Sequence, residues 1–388
     1  MGVPAGRRLV HSRRGAGALA LAAAALGLSA CGGGGPSAGT ATSSLPPLPP
    51  NVVAYVTLAG SGSDVGYGNR VVPVTLTGTN GSAGAGIRVG LYPDAVAIDA
   101  SDTTAYVANY SSNTVTPIDL ATGRAGSPIP AGQGPADIAI SPDGRTAYVT
   151  DDGSSSSLGH TVTPIDLATG KPERPIPVGA GPQGIAITPD GATAYVADAG
   201  AIVAGQVGPV GHTVTPIDLS TDKPGRPITV GNGPTGVAIS PDGRTVFVTN
   251  LDSGSVTPIA TANDSAGPGI AVKGGPVAVA VGHGLAWVVD TPSNTSTGDN
   301  VTPISLRTHM ALAPIPVGRG AQDIAITPDG KTAWVTCLGA DSLVPVDLAT
   351  RQAGGGISVS GGPFAVAIAS VASGPGPPGA SSSTTTSS

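Results

Sequence analysis

A triplet of β-branched residue, alanine, β-branched residue recurs seven times along this 388-residue chain, beginning at Val96, Ile138, Ile185, Val237, Val279, Ile324 and Val366. The intervals are 42, 47, 52, 42, 45 and 42 residues. A period of that length means that one supersecondary unit is copied, and that neighbouring copies bury faces which no single copy buries alone. Eight to ten residues after each of the first six triplets comes an aromatic followed by valine: Tyr106, Tyr148, Tyr195, Phe247, Trp287 and Trp334. None follows the seventh. Its counterpart stands at the other end of the chain, in Ala54-Tyr55-Val56. The repeat is therefore permuted relative to the termini, and residues 362–370 with 51–90 should complete one unit.

Each unit holds four short β-branched runs. In the second they are Asp137–Ser141, Ala147–Thr150, Val162–Leu167 and Ile176–Val178, each bounded by Gly, Pro, Asp or Ser. The first two runs are joined by Pro142-Asp143-Gly144, and the same turn recurs at Pro189, Pro241 and Pro328. There proline presets φ, Asp bonds back to the turn and Gly takes the left-handed position. No helical period appears beyond the N-terminal segment. Four antiparallel strands in each of seven units, with one unit split between the chain ends, describe an all-β, seven-bladed β-propeller closed by a split blade. Closure leaves no open sheet edge. Ile185-Ala186-Ile187-Thr188-Pro189-Asp190-Gly191 followed by Tyr195-Val196-Ala197-Asp198 resembles the YVTN-type β-propeller repeat, and the resemblance covers about 320 of the 388 residues. One departure is systematic: the third run carries proline in every unit (Pro73, Pro117, Pro164, Pro216, Pro258, Pro303, Pro345). Proline cannot donate to a ladder, so a bulge or a strand start is expected there.

The repeat explains a composition that otherwise points to disorder. Gly and Pro number 60 and 38, about a quarter of the chain, and only 11% of residues are charged, yet 40% are hydrophobic. Turn punctuation at a fixed period reconciles these figures.

The first 50 residues read differently. Arg7, Arg8, Arg13 and Arg14 precede an uncharged Ala/Leu stretch that ends in Leu28-Ser29-Ala30-Cys31. That layout resembles a bacterial lipoprotein signal, in which cleavage precedes the cysteine and its thiol is lipidated. The resemblance implies residues 1–30 as signal peptide, Cys31 as lipidation site, and residues 31–50 as a Gly/Pro-rich tether to a propeller over 51–370. Residues 371–388 read as a disordered Ser/Thr/Pro/Gly tail. The expected location is the outer face of the bacterial cytoplasmic membrane, with acyl chains alone entering the bilayer. Ser12-Arg13-Arg14 lacks the bulky downstream residue usual in twin-arginine signals, so the export route stays open between the two pathways. After loss of four arginines the chain carries 14 basic and 24 acidic residues. A nucleic-acid partner is not expected at that charge, and a monomer is. Cys337 is the one other cysteine, so no internal disulfide is expected.

The candidate functional residues lie where loops of unequal length share a face. The second run ends in a polar residue in five units: Asn109, Asp151, Asp198, Asn250 and Asp290. Asp137 and Asp323 stand just before their triplets, near the expected channel mouth, and His160 and His212 open the third run in two units. Carboxylates and imidazoles converging on a rim would suit a divalent cation, the one cofactor this pattern brings into question. The same residues also cap strand ends and turns, which requires no ligand. Gly179-Ala-Gly-Pro-Gln-Gly184 imitates a dinucleotide fingerprint but precedes a strand. Ser220-Thr-Asp-Lys223 imitates a serine–lysine pair, but its counterpart Ala168-Thr-Gly-Lys171 is a plain turn. No nucleophile–base–acid set emerges. The expected function is non-catalytic binding of an envelope protein or small ligand. The family resemblance also implies an alternative, a metal-assisted lactonase-like hydrolase or a dehydrogenase-subunit-like enzyme using the acidic rim.

Overall fold

The computed structural model describes residues 52–60, 68–154, 156–201, 208–291 and 299–371. The leader-like segment, Cys31, the tether, the tail beyond 371 and parts of four loops lie outside the described residues. Seven antiparallel sheets follow one another around the chain. The fold is an all-β, seven-bladed propeller of four-stranded blades. Numbered by their inner strands, the blades begin at Pro93–Ile98, Pro135–Ile140, Pro182–Ile187, Pro234–Ile239, Gly275–Gly282, Ala321–Ile326 and Pro363–Ser370. Among the described residues no helix is long and apolar enough to cross a membrane.

Blade 7 is assembled from both ends of the chain. Pro363–Ser370 pairs with Val52–Leu58, from Val52 opposite Ser370 to Leu58 opposite Pro363. Side chains from three blades hold this closing strand. The Ala365 N–H donates to Thr57 Oγ1 (2.9 Å), the Val366 N–H to Asp323 (2.9 Å) and the Ser370 N–H to Asp102 (3.2 Å).

The repeated proline acts on the fourth strand, not the third. In blade 2, Thr146–Ser154 pairs with Ser157–Asp166 without a break at Tyr148 opposite Pro164. The outer strand instead splits into Lys171–Pro172 and Ile176–Pro177, which pair on either side of the proline. The Pro164 carbonyl faces that edge and accepts the Glu173 N–H at 2.8 Å. On an antiparallel strand a residue's N–H points to the same edge as its C=O, and here proline has no N–H to offer. The outer strand therefore breaks opposite it. All seven prolines accept one such bond, from Gly84, Gly126, Glu173, Gly225, Gly267, Leu312 and Gly354. The expected bulge lies elsewhere, at the start of the inner strand, where register slips between Pro135 and Asp137 and at matching places in every blade.

The core lies between blades. Ile138 of blade 2 packs against Ala95 and Ala97 of blade 1 and over Val149 and Ile165 of its own sheet. Six of the seven aromatics at the repeated position, among them Phe247, Trp287 and Trp334, are buried as inter-blade spacers, and Tyr106 is half-buried. Three of them meet the left-handed residue in the next blade's third-to-fourth-strand turn. The Tyr195 hydroxyl donates to Asp264 (2.7 Å), the Tyr148 hydroxyl to Asp222 (3.4 Å), and Phe247 meets His309 edge-on at 6.0 Å.

Candidate functional site: the loop face

The inner-strand bulge places Asp137 and Asp323 between blades, both 1% exposed. One oxygen of Asp137 accepts the Ile138 N–H (2.8 Å) and the other the Ile185 N–H of blade 3 (2.9 Å). Asp323 repeats the arrangement with Ile324 (2.8 Å) and Val366 of blade 7 (2.9 Å). A threonine on the second strand completes each joint. The Thr150 hydroxyl donates to the Gln183 carbonyl at 2.7 Å, and that of Thr336 to the Phe364 carbonyl at 2.6 Å. Burial pushes the Asp323 pKa up to about 8, against the two amides. These carboxylates tie blade to blade.

The second-strand ends hold a different joint. Asp151 accepts the hydroxyls of Thr161 (2.8 Å) and Thr163 (2.7 Å) with one oxygen. Asp198 takes those of Thr213 (3.0 Å) and Thr215 (2.7 Å), and the Gly179 N–H at 3.0 Å. Burial raises both pKa values to about 6, with the hydroxyls opposing. Asn109 and Asn250 occupy the same place with the bond reversed, their amides donating to Thr116 and Thr257, each at 2.9 Å. Threonine serves both residues because its hydroxyl donates or accepts. Asp290 breaks this pattern. It is fully buried, and among the described residues no hydrogen bond of ordinary geometry reaches its oxygens or the Thr302 hydroxyl, although Thr302 stands close enough to act on it. Burial pushes its pKa up to about 7, against a weaker pull from Thr302. Cys337 fills this position in blade 6. Burial raises its thiol to about 12, so it stays protonated and unreactive at neutral pH.

His160 and His212 are exposed, on neighbouring blades. Their counterparts in three other blades join the next blade instead. Asn113 accepts the Gly134 N–H (2.9 Å), Asp299 that of Ala321 (2.7 Å) and Asp341 those of Gly361 (3.2 Å) and Gly362 (2.9 Å). The predicted rim residues are thus spread around the ring. Among the described residues no three or more His, Cys, Asp or Glu side chains come together to hold a metal.

The sevenfold pattern is interrupted at the junction of blades 7, 1 and 2. The residue before the inner strand is a left-handed glycine in five blades (Gly134, Gly181, Gly233, Gly320, Gly362), but in blade 1 it is Tyr92, with φ 51°. A side chain there costs about 1–2 kcal/mol of backbone strain. The Tyr92 ring packs edge-on against Tyr110 (5.8 Å) and tilted against Phe364 of blade 7 (5.9 Å). The Tyr110 hydroxyl donates to Asp152 of blade 2 at 3.3 Å. Leu91, beside them, is 45% exposed. Strain held at a loop mouth is a recurrent mark of functional segments. A sequence signal for this sector existed: seven of the eleven aromatics keep the repeat register, and Tyr92, Tyr110 and Phe364 are among the four that do not.

No protein-family model matches the chain, and no curated protein matches it. Solved structures do. A functionally unknown protein from Desulfotomaculum acetoxidans is 16% identical, with 82% of this chain and 98% of that chain covered at a TM-score of 0.66. The periplasmic gluconolactonase of Pseudomonas aeruginosa is 17% identical over 82% and 99%, at 0.65. The hydrazine synthase of Kuenenia stuttgartiensis is 21% identical over 70% and 88%, at 0.60. At these identities the likeness is one of fold.

Proposed function

We propose that this chain is an exported propeller of the YVTN-type repeat class, held at the outer face of the bacterial cytoplasmic membrane by a lipid on Cys31. In this reading it is a non-catalytic binding module for an envelope protein or small ligand. The carrying observation is how the predicted rim is used: Asp137, Asp323, Asp151, Asp198, Asn109 and Asn250 are buried in joints between strands and blades. The blade 7–1–2 sector, with its strained Tyr92 and exposed Leu91, is where recognition is expected on the loop face. The Arg pairs, the apolar stretch and Leu28-Ser29-Ala30-Cys31 support export and anchoring.

A second reading, a lactonase-like hydrolase, draws on the structural likeness to a gluconolactonase and on Asp290, a buried acid poised near neutrality. One pair of measurements tests both readings. Glucono-δ-lactone hydrolysis with Ca²⁺, Zn²⁺ or Mn²⁺ added should not exceed the spontaneous rate. An acceleration abolished by Asp290→Asn in a folded protein would replace the binding reading with the enzymatic one. Cys31→Ala should move the protein out of the membrane pellet, and unchanged fractionation would refute the anchor.

A further inference from the structure

An open groove of about 800 Å³ lies on the face opposite the long loops, where blade 3 meets blade 4. The blade 3 hairpin around Thr193 forms one wall, and the turn from Asp218 to Lys223 the other. Asp264 of blade 4 closes the end.

The two carboxylates are held in place. The Tyr195 hydroxyl donates to one oxygen of Asp264 at 2.7 Å, fixing the carboxylate and leaving its second oxygen to accept. One oxygen of Asp218 takes both the Ser220 hydroxyl (2.6 Å) and its N–H (2.9 Å). The Ser220 hydroxyl holds the Asp218 pKa below the usual carboxylate range, so Asp218 is ionised at neutral pH. Lys223 forms no ion pair among the described residues. The rings of Pro216 and Pro224 supply apolar wall.

One ammonium and two carboxylates lining the groove give no net attraction for an anion. A transition metal or Ca²⁺ would need more ligands than these two acids provide. The arrangement matches a ligand whose neighbouring hydroxyls donate to carboxylates and accept from an ammonium, with C–H faces for the prolines. We propose that this groove binds a neutral mono- or disaccharide unit. The site goes beyond the loop-face reading and depends neither on the lipid anchor nor on the blade 7–1–2 sector.

The test is a calorimetric or NMR titration of the full chain, in a detergent without a sugar headgroup, with N,N′-diacetylchitobiose and with maltose. One saturable site of roughly millimolar Kd is expected for at least one of them. Lys223→Ala and Asp264→Asn should each weaken binding about tenfold or more without moving the urea midpoint, since the amide oxygen introduced by the second change still accepts from the Tyr195 hydroxyl. Lys171→Ala, at the matching place in blade 2, should leave binding unchanged. Absence of saturable binding by both disaccharides would overturn the proposal. So would equal affinity in Lys223→Ala, equal loss in Lys171→Ala, or competition by inorganic phosphate.

Discussion

Replacing Asp290 with asparagine should stabilise this protein, by an amount that depends on pH. An unperturbed aspartate titrates near 4, at about 3.9, whereas burial, only weakly opposed by Thr302, raises Asp290 to about 7. Between those values the unfolded chain has released the proton and the folded protein still holds it. Stability therefore falls as pH rises from about 4 to about 7 and stays low above. Three units at about 1.4 kcal/mol each set a ceiling of about 4 kcal/mol at pH 8. Asparagine removes that penalty. It also has a precedent in the same fold: Asn109 and Asn250 donate to the strand-three threonine at 2.9 Å, and Thr302 waits at the equivalent place in blade 5. One such bond contributes about 1 kcal/mol. Urea titrations of both proteins at pH 4.5, 6 and 8 read the difference directly, because the other buried acids are common to both. The expected gain is about 1 kcal/mol at pH 4.5 and about 2–4 kcal/mol at pH 8. A variant that is neutral or destabilised at pH 8, or a difference flat across pH, would refute the reasoning.

Asp137→Ala strands two buried amides, those of Ile138 and Ile185, and should cost roughly 2–5 kcal/mol in urea unfolding. Asp119→Ala in an exposed turn is the reference, and a loss at Asp137 no larger than there would end the inter-blade assignment. Removing residues 362–388 deletes the strand paired with Val52–Leu58 and should abolish cooperative unfolding. A truncated chain that still melts in one sharp transition would contradict closure by the split blade.

The blade count, the split blade and the inter-blade spacers were legible in the sequence because a propeller repeats one local pattern, and repetition averages out local ambiguity. The proline in the third run was equally visible, but its effect was not. Its missing N–H points toward the fourth strand, and only pairing geometry shows which neighbour loses a partner. The rim acids were legible as residue types at fixed positions. Their direction was not, because the inner-strand bulge turns Asp137 and Asp323 toward the next blade.

Sequence alone thus determined the architecture, since periodic β-branched runs and turn residues leave few ways to bury apolar surface. It also marked Tyr92, Tyr110 and Phe364 as aromatics out of register, without placing them together. Tertiary structure decided what each polar side chain is for. Asp151 and Asp290 share one repeat position, yet two threonine hydroxyls bond the first at 2.7–2.8 Å, while among the described residues none reaches the second in ordinary hydrogen-bond geometry. That difference arises from neighbours on another strand, which folding alone brings within a hydrogen bond's reach.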